Sequence, residues 1–160
     1  MNITIRKART DDCEKIRPLQ KEIADLHYKG RPDIFREQPP YFSKEDFARM
    51  CEDQSAVSLI AQTEEGAVVG YAFCKVISFR NHLRNRDFDC FYIDDICVLQ
   101  TFHRQGIGRR LMNRCREEAI ARKCKMMDLN VWAFNEEAIA FYESFGMTTR
   151  TKRMELILED

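Results

Sequence analysis

The stretch Tyr92–Ala121, YIDDICVLQTFHRQGIGRRLMNRCREEAIA, constrains the fold most. Its first part, Ile93 to Val98, is a β-branched apolar run interrupted by two carboxylates, Asp94 and Asp95, and reads as a buried strand. From Ile107 onward, Leu111, Cys115 and Ala119 recur at helical spacing. A strand must therefore feed a loop that opens a helix. Gly106 and Gly108 sit at the junction, where the absence of Cβ lets backbone approach a bulky anion. The first N–H groups of the helix point outward there, and Arg104, Arg109 and Arg110 add positive charge. A pyrophosphate fits that description.

Two common pyrophosphate loops match poorly. The lysine and hydroxyl of a Walker loop are missing, and a dinucleotide fingerprint would need a small residue where Leu111 stands and a tight turn straight off the strand. Asp128 falls inside the next strand pattern rather than at its end. The RQGIG string, Arg104 to Gly108, after a strand ending in Val98, instead resembles the acetyl-CoA loop of the GNAT superfamily of N-acetyltransferases. A second string, NVWAFNEEAIAFYESFGM from Asn130 to Met147, is similar to that family's other motif, with Asn135, Ala138, Phe141, Tyr142, Gly146 and Met147 at its positions. The two occur in the family's order and cover roughly the C-terminal half of the chain.

Taken in order, Ile3 to Ile5 reads as a first strand, and Thr10 caps a helix that Pro18 kinks or splits, with Ile16, Leu19, Ile23 and Leu26 on its apolar face. His27 to Tyr41 holds three of the four prolines and reads as loop. Ser43, with Asp46 three residues on, opens a second helix with Phe47, Met50 and Cys51 inward. Val57 to Gln62 and Ala67 to Ser78 flank a turn at Glu64-Glu65-Gly66 and predict a hairpin. The polar segment Arg80 to Asp87 links it antiparallel to a central strand, Phe88 to Val98. Lys125 to Trp132 predicts a strand parallel to the central one, since a helix separates them. Asn135 caps a last helix that Gly146 stops, and Thr149 to Leu158 predicts a final strand.

The expected architecture is a single α/β domain over residues 1–160: a mixed, mostly antiparallel sheet with helices on both faces. The resemblance adds a V-shaped splay between the central and following strands, where acetyl-CoA lies. Lysine and arginine total 26, as do aspartate and glutamate, so no global charge recruits nucleic acid or an anionic membrane. The basic stretch holding Arg80, His82, Arg84 and Arg86 reads as a solvated hairpin loop. No apolar run approaches the ~20 residues of a membrane span, and the N-terminus lacks a signal-peptide pattern. Seven cysteines without a C-x-x-C pair read as reduced thiols of a cytoplasmic protein, and three scattered histidines give no metal constellation.

Acetyl transfer to an amine needs a base, because an ammonium of pKa ~10.4 is mostly unreactive at neutral pH, and a proton for the departing thiolate of pKa ~8.5. It also needs a donor for the carbonyl oxygen. Asp94 and Asp95, as neighbours on a strand, are expected on opposite faces, one of them lining the acceptor cleft. Either carboxylate could instead fix local backbone. The string Tyr92 to Val98 resembles the diamine and polyamine acetyltransferases, which implies that Asp94 is the base, acting through water. By the same resemblance Tyr142 is the general acid at the sulfur, although a helical tyrosine packing beside Phe141 and Phe145 is the alternative. Ile96 and Val98 are implied to pair by backbone with the coenzyme arm, and Arg104, Gln105, Gly106, Ile107, Gly108 and Arg109 to hold the pyrophosphate. Asn135 is implied to contact the arm as well as cap its helix. The expected activity is an acetyl-CoA-dependent N-acetyltransferase acting on a small amine, an amino acid or a peptide amine, without metal, and the resemblance implies a homodimer. The alternative is an acyl-CoA-binding module that senses the coenzyme without turnover.

Overall fold

The computed structural model describes residues 2–158 and divides into two compact units, Met1–Asn130 and Val131–Asp160. The first holds a five-stranded sheet in the order β1 (Ile3–Lys7), β2 (Ala56–Thr63), β3 (Val68–Phe79), β4 (Phe88–Val98) and β5 (Met126–Leu129). The first four strands pair antiparallel and β5 joins β4 in parallel. Hairpins can be tight, and Gly66 makes the β2–β3 turn at φ +90°; the β4–β5 connection must cross over and does so through a helix. The expected mixed sheet is therefore present, with β5 shorter than its hydrophobic pattern.

Side-chain alternation along β3 divides the core between two faces. Tyr71 and Phe73, with rings stacked at 4.3 Å, face the cluster formed by Leu19 of α1 (Arg17–Gly30) and Phe47 of α2 (Lys44–Glu52). Gly70 and Cys74 meet α3 (Ile107–Ala121) instead. The Cys74 and Cys115 sulfurs lie 3.7 Å apart. A Cβ at Gly70 would stand 3.1 Å from the Cys97 carbonyl oxygen and 3.2 Å from Leu111 Cδ1, so a side chain there would push the helix off the sheet. Ile107, Leu111, Cys115 and Ala119, the predicted stripe, are all buried.

The N-terminal helix departs from expectation in an instructive way. Thr10–Asp12 is a separate 3-10 turn, and α1 begins at Arg17 with Pro18 in its first turn, where a missing N–H costs nothing. The turn is held by Asp12, fully buried, whose carboxylate takes two hydrogen bonds from Arg6 at 2.7 and 2.8 Å and one from the Arg9 amide at 2.8 Å. Helix α1 then runs to Gly30, so His27 to Gly30, expected as loop, are helical. The Ser43 side chain caps α2 by accepting from the Asp46 amide at 3.0 Å, as the spacing predicts.

The second unit is built around α4 (Glu136–Phe145). Asn135 accepts from the Ala138 amide at 3.2 Å at its start, and Gly146 ends it at φ +103°. The final strand predicted over Thr149 to Leu158 is not formed: these residues are irregular, and Met154, Leu156, Ile157 and Leu158 are exposed. A strand needs a ladder partner as well as alternation, and none pairs with this segment among the described residues. No helix of the described residues is long and apolar enough to cross a membrane.

Candidate active site

Strand β4 carries the site, and its geometry departs from simple alternation at one point. Phe73 of β3 pairs with Asp95 and Cys74 with Ile93, so Asp94 is an extra residue in a β-bulge. A bulge resets which way side chains point. Asp95 accepts from the Tyr71 hydroxyl at 2.6 Å, and Asp94 lies 3.8 Å from the Lys75 ammonium. Tyr71, Phe73 and Lys75 are alternate residues of one β3 face. Both carboxylates thus reach the same face, and the opposite-face expectation is corrected: a one-residue insertion in the ladder overrides the period of two.

The two carboxylates differ in surroundings. Asp94 has 59% of its side chain exposed, whereas Asp95 is partly buried beside the buried Tyr71. Burial pushes the Asp95 carboxyl up to about 6; the Tyr71 hydrogen bond opposes this and the neighbouring Asp94 charge adds to it. Burial also raises the Tyr71 phenol, followed by the Asp95 charge, so the phenol remains a donor. Sequence reasoning missed Tyr71, which reads as one more apolar position of β3.

The same stretch of β4 loses its neighbour. Pairing with β5 ends at Ile93 with Leu129, so Asp94 to Val98, including Ile96, have no ladder partner on that side among the described residues. The pairing stops where β5 itself ends, at Leu129. Beyond β4 the chain passes through a 3-10 turn, Gln100–Phe102, tied to α1 by the Gln100 amide donating to Glu22 at 2.9 Å. The His103 ring bonds the Val98 carbonyl at 2.8 Å and draws the loop back to the strand end, a contact the sequence pattern did not single out.

Arg104, at φ +60°, and Gly106, at φ +77°, then turn the chain into α3. Arg104, Gln105 and Gly106 are exposed, Ile107 is buried as the helix's anchor, and no side chain caps the helix start. A Cβ on Gly106 would meet nothing within 4 Å. The left-handed turn and clear space leave the first-turn amides of Ile107, Gly108 and Arg109 facing outward, an arrangement suited to a phosphate. Arg110 is directed elsewhere, donating to the Ile3 carbonyl of β1. Arg104 and Arg109 are exposed, as is Arg110. In the second unit, Tyr142 lies two turns into α4 beside Phe141, ring centroids 5.4 Å apart.

A mostly antiparallel sheet whose central strand runs through a glycine turn into a helix carries, at that turn, a helix start suited to a phosphate-bearing ligand. A model of the acetyltransferase (GNAT) family matches residues 21–147, and the chain belongs to that family; it is an N-acetyltransferase. The chain is 25% identical over 158 residues to thialysine N-epsilon-acetyltransferase of Mus musculus, covering 92% of this chain and 85% of that protein. A crystal structure of a mutant BH1408 protein from Bacillus halodurans superposes with a TM-score of 0.94 at 28% identity, covering 98% of this chain and 99% of that one. An aminoglycoside N-acetyltransferase solved in complex with CoA shares the fold, with a TM-score of 0.70 at 17% identity over 98% of this chain and 99% of that one.

Proposed function

We propose that this N-acetyltransferase moves the acetyl group of acetyl-CoA directly onto a primary amine of a small molecule, an amino acid or a peptide. The observation that carries the reading is the β4 bulge: it sets two carboxylates on one face where the pairing with β5 ends, with Gly106 of the glycine turn eight residues beyond Val98 on a segment tied at Val98 and Gln100. Acetyl-CoA is the family's co-substrate. The first-turn amides at Ile107 to Arg109, with Arg104, Gln105 and Gly106, would take its pyrophosphate, and the backbone of Ile96 and Val98 its amide arm. Asn135 is proposed to contact the arm beside its capping bond.

In this reading Asp94, exposed and on the bulge, receives the proton of the incoming ammonium through water. The amine nitrogen then bonds the thioester carbon, the C–S bond breaks, the Tyr142 phenol protonates the thiolate, and the second proton shed by the nitrogen restores the Tyr142 phenol. The curated relative acts, by its name, on the epsilon-amine of thialysine, which supports an aminoalkyl acceptor here. Seven reduced cysteines support a reducing, cytoplasmic setting, and the exposed apolar residues Met154, Leu156, Ile157 and Leu158 support a homodimer. We propose that the whole chain acts as one catalytic domain.

The test is thiol release from acetyl-CoA, followed with a dye across a panel of primary amines and peptides. Turnover on at least one amine is expected. Tight acetyl-CoA binding without turnover on any of them would instead support a coenzyme sensor.

A further inference from the structure

The ammonium of Lys75 lies 3.8 Å from an Asp94 carboxylate oxygen and 5.5 Å from the centroid of the Tyr92 ring. A carboxylate beside an aromatic face is a cation seat, because the ring quadrupole and the full negative charge attract the same ammonium. Both walls are set by the fold. The Tyr92 hydroxyl accepts from Asn130 Nδ2 at 3.1 Å, and the bulge fixes the backbone under Asp94. The occupant is different in kind: a four-carbon stem whose side chain is 50% exposed and which can swing into water.

We propose that Asp94 and Tyr92 seat the ammonium of the acceptor, and that Lys75 is an intramolecular stand-in which the acceptor displaces. This rests on the reading of Asp94 as the group that receives the acceptor's proton. The occupant also identifies the class of acceptor. What the seat holds is an unbranched alkyl chain ending in a primary ammonium, so the acceptor is a linear aminoalkyl group, as on a lysine-type side chain or an n-alkylamine. Exchange keeps the local charge balanced: Asp94 faces one ammonium before displacement and one after it.

An exposed ion pair combined with a cation–π contact makes a weak competitor, enough to raise an apparent KM about threefold to tenfold. The experiment compares wild type, Lys75→Met and Lys75→Arg with acetyl-CoA and either n-butylamine or tert-butylamine. Lys75→Met should lower KM for n-butylamine by about that factor, Lys75→Arg should keep the wild-type value, and tert-butylamine should gain less. In the Lys75→Met background, Tyr92→Leu should raise KM again. An unchanged or raised KM in Lys75→Met overturns the proposal, as does an equal gain for the branched amine, which would reflect net charge alone. Calorimetric binding of n-butylammonium to the same variants needs no turnover. Tighter binding to Lys75→Met with no acetylation of any amine would sink the transfer reading and leave the seat; acetylation with unaltered binding would sink the seat alone.

Discussion

The phenol of Tyr71 donates a hydrogen bond to the carboxylate of Asp95 at 2.6 Å, joining the first half of β3 to the second half of β4 beneath α1 and α2. It places an ionisable group in a site where the charged form is poorly solvated. The carboxyl, at 3.8 in the unfolded chain, is pushed up to about 6 by burial. The folded protein therefore binds more protons than the unfolded chain between those values. The stability Asp95 contributes is full below its unfolded pKa and is lost as pH rises through about 6. Asp95→Asn, which keeps an acceptor for the Tyr71 hydroxyl, should stabilise the protein at pH 8 by on the order of 2 kcal/mol and change little at pH 4. Urea denaturation at the two pH values checks this; a variant equally affected at both would remove the burial cost from the account.

The Asp12 carboxylate presents the opposite case. Burial raises its pKa, but the Arg6 guanidinium, the Arg9 amide and Lys15 together outweigh burial and hold it below the usual range. Its stability contribution is present above the unfolded value and fades as pH falls below it. Asp12→Ala would leave Arg6 without its bidentate partner and free the 3-10 turn, and should cost about 3–5 kcal/mol at neutral pH. Chemical denaturation measures it, and a loss under 1 kcal/mol would mean that the pair behaves as a surface contact.

Gly106 separates stability from ligand binding. Its φ of +77° disfavours any Cβ, yet the protein itself has clear space there. Gly106→Val should cost only about 1–2 kcal/mol of stability while weakening acetyl-CoA binding about tenfold or more. Parallel thermal melts and calorimetric titrations decide it. Unchanged coenzyme affinity would place the pyrophosphate elsewhere.

For Tyr142 the expected effect is on turnover. Tyr142→Phe keeps the ring and removes the proton, so kcat should fall at least about tenfold with little change in acetyl-CoA affinity. Steady-state kinetics across pH would expose a purely packing role as an unchanged kcat.

Much of this fold was legible because period and punctuation agreed. Phe88–Val98 emerged with its observed bounds, the stripe from Ile107 to Ala119 is buried as spaced, and Ser43, Asn135 and Gly146 cap and stop their helices. What was missed depends on partners. The bulge at Asp94 is a property of two strands in register, so a pattern read along one strand sends Asp94 and Asp95 to opposite faces. The role of Gly70 is a vacancy that only Leu111 and Cys97 reveal. The segment after Thr149 alternates like a strand, but alternation is silent about whether a neighbour is there to pair. At the glycine loop the helix start was legible in RQGIG, whereas the left-handed turn at Arg104 and Gly106 and the diversion of Arg110 to Ile3 needed the third dimension.

The most direct measurement is product analysis by mass spectrometry after mixing the protein with acetyl-CoA and n-butylamine. The account predicts N-acetylated butylamine and free CoA in equal amounts, both greatly reduced at neutral pH in Asp94→Asn and recovering as the pH approaches the amine's own pKa. Release of CoA without acetylated amine, or a loss in Asp94→Asn that is the same at every pH, would contradict it.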